Sequence, residues 1–427
     1  MTLVGLDDTD SRERGMCTTY VAARLAERLR GEGTVERLCL VRLSPAVPYK
    51  TRGNAALAVH TDVDSGTAFD LACESVAGAA ETDDPDTNPG VVVAPGDPDT
   101  VPEPVAAFSR RAVREEVEQR EALRLVDACG YRHEGWKLGR GVVGALAAVG
   151  AWRAWATDGR FDGPTYEVIA YREPERWGTP REVDHESVFE AAETGYPTVW
   201  DTVDRVEGET VCVPHTPGPV LHGIRGDDPG TCRRVSEAIR SEPVERRETF
   251  VTNQGTDAHL RDGEASRIEE ARAYRLDGTV ASAPETREGG HVFFDLVGGE
   301  ASLRCAAFEP TKRFRDRVRA LRVGDRLTVC GEVGERTLNL EKFAVRDLRT
   351  TERVTPTCPE CGRRMSSAGR DQGYRCRDCG TRAAGKAERP VERELERGWY
   401  EVPPVARRHV AKPLVRGGFD APTHPER

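Results

Sequence analysis

Four cysteines near the carboxyl end of the chain constrain its folding more than any other feature. The pattern C-x2-C-x14-C-x2-C is formed by Cys358, Cys361, Cys376 and Cys379. Each C-x2-C turn directs two thiolates at one point, and two such turns complete a tetrahedral site for Zn²⁺. Gly362 and Gly380 directly follow the second cysteine of each pair, where the turn favours a positive φ angle. Because four protein ligands leave no open position, the sequence predicts a structural zinc ribbon.

The N-terminus and the other cysteines bear on the cellular compartment. MTLVGLDDTD lacks the charged and long apolar regions of a secretory signal, and no run of about 18 apolar residues could span a membrane. We therefore expect a cytoplasmic protein with reduced thiols, since disulfides are rare in the cytosol. Buried structural thiols are predicted at Cys39, Cys73, Cys129, Cys212, Cys232, Cys305 and Cys330.

Charge is distributed unevenly along the chain. The net charge is −10, yet residues 351–427 carry 16 Lys or Arg against 11 Asp or Glu, a net of +5. This asymmetry indicates a basic module for a polyanion, attached to an acidic body. Lysine is scarce and acidic residues are abundant, which suits high salt, so we hypothesise a halophilic source. A fold that is stable in dilute buffer without salt would contradict that hypothesis.

The spacing of apolar residues up to residue 252 indicates interleaved strands and helices, which is typical of a multidomain α+β protein. Strands are predicted at 2–6, 37–43, 55–60, 166–171, 210–214, 219–225 and 248–252. Helices are predicted at 18–30, 111–127, 142–155 and 231–240. Residues 80–105 are rich in Asp, Pro, Thr and Gly and are predicted to form a loop.

From residue 272 five short strand-like runs follow one another, with a helical segment before the fourth. This is the order of an OB-fold barrel, which binds single-stranded or looped nucleic acid. Phe293, Phe294 and Phe308 either stack bases or fill the core, and Lys312, Arg313 and Arg315 could contact phosphates. Arginines and one tyrosine around the zinc site either suit phosphate contact and base stacking or form a merely solvated face; these are Arg363, Arg364, Arg370, Arg375, Arg377 and Tyr374.

Three carboxylates, Asp7, Asp8 and Asp10, follow the first strand in GLDDTDS. Ligands of α/β sheets bind at the carboxyl ends of strands. Clustered carboxylates repel one another unless a cation neutralises them, and Mg²⁺ is the cation usually held by carboxylates plus phosphates. A solvated acidic turn is the alternative. Thr18 and Thr19 are predicted at a helix N-terminus, where a hydroxyl either caps the helix or accepts a phosphoryl group.

Two further segments could contact phosphates. YKTRGN at 49–54 contains Lys50 and Arg52. GRGVVG at 139–144, with Arg140 and Gly141, matches G-x-G-x-x-G, but no clear strand precedes it, which argues against a Rossmann site. Close approach of the glycines to phosphate or RNA, and tight packing of a helix, both remain open.

Sequence blocks along the whole chain are similar to those of one known family. They include GLDDTDSRERGMCTTYVA, VPYKTRGNAA, KLGRGVVGALAAVG, VPHTPGPVLHGIRG, EPVERRETFVTNQGTDAHL and AAFEPTKRFR. On these the chain resembles the archaeal 2-agmatinylcytidine synthetases (TiaS), which act on the minor isoleucine tRNA. The alternatives are a non-enzymatic single-strand-binding protein, and an ATP-dependent tRNA modifier that uses lysine or ammonia.

The resemblance implies a domain order and a reaction. It implies an atypical kinase-like α/β domain at 1–130, a ferredoxin-like domain at 131–268, an OB fold at 270–350, a zinc ribbon at 355–384 and a basic tail at 385–427. It also implies a ligase that uses ATP to phosphorylate the C2 oxygen of the wobble cytidine, with AMP as a product. Agmatine then displaces the phosphate, and the modified tRNA reads AUA as isoleucine.

The resemblance assigns roles to particular residues as well. It implies autophosphorylation at Thr18, and Mg²⁺ on Asp7, Asp8 and Asp10. Lys50, Arg52 and Lys137 would then hold phosphates or the tRNA backbone. Because agmatine carries a guanidinium group and an amine, its site needs carboxylates or backbone carbonyls, and the candidates in the second domain are Asp201, Asp204 and Asp257. The expected cofactors are ATP, Mg²⁺ and structural Zn²⁺, and no feature indicates a membrane or a protein partner.

Overall fold

The computed structural model describes residues 1–48, 50, 53–159, 161–408 and 411–427. Arg52, a predicted phosphate ligand, lies outside the described residues. Two large sheets organise the chain, one built from strands before residue 253 and one from strands after residue 259. No helix in the described ranges is both long enough and apolar enough to cross a membrane. The mixed α+β class predicted from the sequence is confirmed.

The first sheet contains nine strands and extends across residue 130 without a break. In chain order the strands of this part are β1 (Thr2–Asp7), β2 (Val35–Arg42), β3 (Ala55–Thr61), β4 (Gly90–Pro95), β5 (Arg132–Gly135), β6 (Thr165–Arg172), β7 (Val199–Trp200), β8 (Val203–Asp204), β9 (Glu209–Thr210), β10 (Val220–Gly226) and β11 (Val244–Thr252). Their order in the sheet is β5-β4-β1-β3-β2-β11-β6-β10-β7, and β8 and β9 form a separate hairpin. The predicted domain boundaries stay predictions.

Helices cover both faces of this sheet. They are α1 (Thr18–Glu32), α2 (Ser65–Ala79), α3 (Glu103–Arg114), α4 (Gln119–Ala128), α5 (Gly141–Thr157), α6 (His185–Gly195) and α7 (Pro229–Ala238). One core forms where α1 and α2 pack on the face that carries Val4 and Leu6. On the opposite face α3, α4 and α5 enclose a second core around Leu3, and α6 and α7 enclose a third around Val168.

The apolar helix α5 approaches the sheet at backbone distance. A Cβ atom on Gly5 would lie 2.1 Å from the carbonyl oxygen of Ala145, and one on Gly90 would lie 2.0 Å from the amide nitrogen of Val142. Contacts this short exclude any side chain at the two sheet positions. At the start of α5, a Cβ atom on Gly141 would lie 2.4 Å from the amide nitrogen of Gly90. Gly141 therefore serves tight helix packing, one of the two interpretations left open by the sequence.

Three predictions about the elements of the first sheet and its helices need correction. Residues 80–105 are not all loop, since β4 lies inside the sheet between β5 and β1; the short run GVVV was hidden by the turn residues on both sides. The helix predicted at 111–127 is two helices, α3 and α4, because Glu115 leaves helical geometry with φ −156°. The strand predicted at 210–214 is limited to β9.

The second sheet includes a closed five-stranded barrel. In chain order the remaining strands are β12 (Leu260–Asp262), β13 (Ala273–Val280), β14 (Glu285–Thr286), β15 (Val292–Gly298), β16 (Ala301–Ala307), β17 (Arg326–Gly334), β18 (Thr337–Asp347), β19 (Thr351–Val354), β20 (Ser366–Ser367), β21 (Tyr374–Arg375), β22 (Arg382–Ala383), β23 (Ala387–Pro390), β24 (Gly398–Glu401) and β25 (Thr423–His424). The barrel closes because β13 pairs with both β15 and β17, and β18 with both β16 and β17. Helix α8 (Phe314–Arg319) precedes the fourth barrel strand, as predicted.

The chain leaves the barrel and then returns to it. Strands β19 and β23 pair as a two-stranded stalk, and β20, β21 and β22 form a small sheet beyond it. After the stalk, β24 pairs with β18 and extends the barrel sheet. Of the seven thiols predicted to be buried, Cys39, Cys212, Cys232, Cys305 and Cys330 are buried, while Cys73 and Cys129 are half-buried.

Candidate active site and zinc centre

The aspartate loop begins where β1 ends. The backbone N–H of Asp8 donates to Oδ1 of Asp7 at 2.8 Å, and Asp8 has a positive φ of 61°. Burial first, and then the charge of Asp8, raise the pKa of Asp7 well above its usual value. A carboxylate held in this way ionises readily only beside a cation. The predicted role of the loop in binding a cation stays a prediction.

A loop 80 residues away holds the aspartates in place. The amide of Asn88 donates to Oδ2 of Asp8 at 2.8 Å, and the Thr87 hydroxyl donates to the carbonyl of Asp10 at 2.6 Å. The ammonium of Lys137 donates to the carbonyl of Thr87 at 2.8 Å and to that of Asp84. Lys137 therefore fastens this loop and is not among the residues that line the cavity described below. Its predicted contact with phosphate or tRNA stays a prediction.

The predicted threonines lie at the start of α1. The Thr9 hydroxyl donates to Oγ1 of Thr18 at 3.1 Å, and Thr18 is buried beside the aspartate loop. Cys17 precedes the helix and makes no capping hydrogen bond with its side chain. The Thr19 hydroxyl lies 3.0 Å from the sulfur of Cys17. The hydroxyl of Thr18 thus lies at a helix N-terminus beside the loop that carries the carboxylates, as predicted.

The first sheet has one half formed by β1 to β5 and another formed by β6, β7, β10 and β11. A cavity of about 860 Å³ opens between these two halves. It gathers eight predicted site residues, namely Asp7, Asp8, Asp10, Thr18, Thr19, Lys50, Arg140 and Gly141. Its far wall comes from β6, β10 and the proline-rich segment 211–220. At Gly144 a Cβ atom would lie 1.9 Å from Oδ2 of Asp7, so α5 closes tightly behind the carboxylates. Burial lowers the pKa of Lys50.

The far wall carries a charged triad that the sequence analysis missed. Glu167 accepts a hydrogen bond from Nε of Arg225 at 3.2 Å, and its Oε2 lies 3.6 Å from Arg42. The carboxylate is 4% exposed, and Oε2 accepts no hydrogen bond from any described residue. In TYEVIAY, Glu167 shares its face with Ile169 and Tyr171, which are buried under α1. A charged residue at a position of β6 where the alternation predicts an apolar one is the sequence signal that could have identified Glu167.

The three aspartates predicted to hold agmatine lie elsewhere. Asp201 pairs with Arg407, Asp204 accepts from Arg313 at 3.0 Å, and Asp257 accepts from Lys342 at 2.8 Å. Each pair joins a residue before β12 to the barrel or to the segment after β24. None of the three lines the cavity. Their charges hold the two parts of the molecule together, and their predicted contact with agmatine stays a prediction.

The four cysteines converge as the sequence predicts. The sulfur atoms of Cys361 and Cys376 are 3.5 Å apart, and Cys379 lies 3.6 Å from both Cys358 and Cys376. Tetrahedral Zn²⁺ with bonds of about 2.3 Å needs sulfur atoms about 3.8 Å apart, so the donor set fits zinc. Gly362 and Gly380 both have a φ of 73°. No other group in the described part of the chain gathers three such ligands as closely.

The predicted RNA contacts of the barrel and ribbon are only partly available. Phe294 is 2% exposed in the barrel core and cannot stack a base, whereas Phe293 and Phe308 are half-buried with ring centroids 6.0 Å apart. Arg313 is held by Asp204 and Glu426. In the ribbon Tyr374 packs against the small core around Met365. The remaining predicted arginines of the ribbon are exposed.

Comparison with known proteins gives consistent results along the chain. Family models for the TiaS TCKD domain, the TiaS FLD domain and the TiaS C-terminal zinc ribbon domain match residues 3–67, 139–259 and 355–395. The isoleucine-tRNA 2-agmatinylcytidine synthetase TiaS of Haloquadratum walsbyi is 50% identical over 471 residues, covering 100% of both chains. The protein of the same name from Methanosarcina acetivorans is 46% identical, covering 97% of both.

Solved structures of TiaS share this architecture. The complex of TiaS with its isoleucine tRNA and ATP matches with a TM-score of 0.88 and 44% identity, covering 100% of this chain and 99% of the other. The complex of TiaS with the same tRNA, AMPCPP and agmatine matches with a TM-score of 0.85 and 42% identity over the same shares. Identity of this extent along the full chain establishes common ancestry, and the chain therefore belongs to the TiaS family of 2-agmatinylcytidine synthetases, which act on the minor isoleucine tRNA.

Proposed function

We propose that this protein attaches agmatine to C2 of the wobble cytidine of the minor isoleucine tRNA, using ATP. It is a ligase that modifies tRNA. The observation that carries this function is the shared cavity. The aspartate loop and Thr18 form one wall, and a buried carboxylate on the second half of the sheet forms the other. A phosphoryl donor and an amine can therefore meet over one base.

The finer domain assignments belong to the same proposal. Residues 1–130 form a kinase-like catalytic unit and residues 131–268 a ferredoxin-like unit that supplies the amine site. Residues 270–350 form an OB fold, residues 355–384 the zinc ribbon, and residues 385–427 a basic tail. Barrel and ribbon grip the tRNA, since exposed arginines suit a phosphate backbone.

The aspartate loop is suited to Mg²⁺, because its carboxylates are hard oxygen ligands and the pKa of Asp7 is raised without a cation. Asp7 and Asp8, with Asp10 beside them, would hold the ion. When bound, Mg²⁺ neutralises charge on the transferred phosphoryl group. Lys50 and Arg140 hold the phosphates from the side of the cavity, and the N-terminus of α1 orients them. The Thr18 hydroxyl accepts a phosphoryl group in self-phosphorylation.

Transfer to the base follows from ordinary leaving-group chemistry. The C2 oxygen of cytosine leaves poorly as such, and phosphorylation converts it into a phosphate that leaves well. The amine of agmatine then attacks C2, and inorganic phosphate departs with the former C2 oxygen. Transfer of one phosphoryl group leaves ADP, and hydrolysis of its β-phosphate by water gives AMP and a second phosphate. The extruded base has to lie between the aspartate loop and the amine, where the segment 211–220 shields it from water.

Glu167 replaces the earlier candidates as the agmatine ligand in this proposal. It is a buried carboxylate that lines the cavity, and its Oε2 atom accepts no hydrogen bond from the described residues. Arg225 and Arg42 hold the carboxylate at the cavity wall. Because Oε2 is buried, the carboxylate has to turn toward the cavity to meet a guanidinium or ammonium group. A charge-assisted hydrogen bond of this kind is the strong contact that binding of agmatine requires.

One incubation tests the function. The protein is mixed with a transcript of the minor isoleucine tRNA, ATP and labelled agmatine, and the RNA is analysed for label. We expect label on the wobble nucleotide only, and none when that nucleotide is uridine. Labelled lysine or ammonia in place of agmatine should give no product. An RNA that stays unlabelled with agmatine would overturn the function, and labelling by lysine would change the substrate.

A further inference from the structure

Leu138 is an apolar side chain at the edge of the cavity. It belongs to the turn between β5 and α5 and is 59% exposed. Single exposed leucines are common on protein surfaces, so exposure alone indicates nothing. The position of this leucine and the way its backbone is held are what distinguish it.

The position is set by residues that line the cavity. Arg140 and Gly141, two and three positions later in the chain, lie in the cavity wall. Gln119, another lining residue, donates from Nε2 to the carbonyl of Leu138 at 2.7 Å. The backbone of Leu138 is therefore in direct contact with the cavity wall, while its side chain is exposed to solvent.

The turn that carries Leu138 is rigid. Lys137 has a φ of 58° and Gly139 a φ of 61°, and residues with a Cβ atom seldom adopt such angles unless the surroundings impose them. The amide of Gly139 donates to the carbonyl of Trp136 at 2.8 Å. The amide of Leu138 donates to Oδ1 of Asn88 at 3.3 Å. The side chain of Lys137 fastens the turn to the carbonyl of residue 87.

A target base inside an anticodon loop is stacked and has to leave the stack before chemistry. Proteins that unstack nucleic acid insert apolar side chains into the gap. We propose that Leu138 is such a wedge: it enters the anticodon loop beside the wobble position and occupies the space that the extruded cytidine leaves. This proposal rests on the proposed function, since it takes the wobble base as the group that enters the cavity.

The hydrogen bonds of this turn explain why the backbone that carries the wedge is rigid. The turn is tied through Asn88 to the carboxylate of Asp8. A wedge and a phosphoryl-transfer site on one rigid frame keep a fixed separation, so an inserted leucine sets the distance of the extruded base from the aspartates. Arg140, two residues after the wedge, is placed to contact the phosphate of the same nucleotide.

The test uses the full-length protein and a transcript of the minor isoleucine tRNA with pyrrolocytidine at the wobble position. Fluorescence of the wild type should rise on binding in the presence of agmatine and a non-hydrolysable ATP analogue, because the base leaves the stack. In Leu138→Ala the rise should be lost, and the single-turnover rate of agmatine transfer to ordinary tRNA should fall about tenfold. Leu138→Met should restore both.

Two readouts separate the wedge from a structural role. Self-phosphorylation without tRNA should be the same in Leu138→Ala and wild type, and the Kd for tRNA should change less than about threefold. Val323→Ala is the matched control, since Val323 is 52% exposed in the turn before β17 of the barrel. The proposal is overturned if Leu138→Ala gives the fluorescence and rate of Val323→Ala, or if self-phosphorylation falls in parallel. Failure of the wild type to transfer agmatine would overturn the proposed function instead.

Discussion

The zinc ribbon and the aspartate loop are both clusters of ligand side chains, and they are built in opposite ways. The four cysteines lie within one short segment, 358–379, and neighbouring sulfur atoms converge to 3.5–3.6 Å without help from the rest of the chain. The aspartates are closer together in sequence, yet Asp8 depends on Asn88, and Asn88 in turn holds Leu138. The ribbon is local, whereas the active site is assembled from distant segments.

The difference follows from what each site has to do. A structural metal site needs only its own ligands, because the metal itself supplies the folding energy. A transfer site has to place a donor, a base and an amine in one volume, so its walls come from both halves of a sheet. Changes in the ribbon should therefore remain local, and changes near the aspartates should affect catalysis.

The largest effect is expected for Asp8→Asn. The substitution removes a charge that the amide of Asn88 holds in position, and the loop then neutralises a cation poorly. We expect release of AMP to fall a hundredfold or more, as is typical when a group that stabilises transferred charge is removed (about 10²–10³), with the Kd for tRNA unchanged. Asp86→Asn, an exposed residue of the neighbouring loop, is the control. Persistent turnover in Asp8→Asn would refute the role of the loop.

Cys376→Ser tests whether the ribbon is as independent as its geometry indicates. Loss of one of four thiolates should release the zinc, measured as one metal per chain in the wild type and none in the variant. The affinity for tRNA should fall by roughly tenfold, because the exposed arginines are no longer held in a fixed arrangement. Self-phosphorylation of Thr18 should continue. Ser367→Ala in the same module should keep its zinc. If self-phosphorylation also stops in Cys376→Ser, the two sites are coupled.

The same contrast explains what could be predicted from the sequence. The ribbon, the barrel order and the strand–loop–helix around Thr18 are encoded by local spacing, and all three are present in the structure. Glu167 was missed because its partners Arg42 and Arg225 are far away in the chain. The ion pairs of Asp201 and Asp257 with later strands and loops could not be predicted for the same reason, since they depend on how the barrel docks.

Glu167→Gln tests whether the far wall of the cavity binds agmatine. The amide keeps the size of the side chain and removes the charge that would bind a cation. We expect the KM for agmatine to rise about tenfold, the value of one charge-assisted hydrogen bond, with self-phosphorylation unchanged. Glu248→Gln, in the neighbouring strand β11 and paired with Arg30, serves as the control. An unchanged KM in Glu167→Gln would place agmatine elsewhere in the cavity.

The smallest effect concerns a buried carboxyl at the junction between the first sheet and the barrel. Glu401 lies between Arg407, at 2.8 Å, and the amide of Leu414, at 2.8 Å. Burial raises the pKa of Glu401 to about 7 despite Arg407. A carboxyl with a raised pKa binds a proton more readily when folded, so it adds stability as the pH falls through about 7 toward its unfolded value of about 4.3.

Glu401→Gln should remove this dependence on pH. Between about pH 7.5 and 5.5 the wild type should gain roughly 1 kcal/mol of unfolding free energy relative to the variant, because each unit of pKa difference is worth about 1.4 kcal/mol and the network shares the proton. Denaturant unfolding at both pH values measures the difference, with the exposed Glu394→Gln as the reference. Zinc retention should not change over the same range in either variant. The absence of a difference would mean that Glu401 stays charged beside Arg407 over this range, and the junction between sheet and barrel would then be a permanent ion pair.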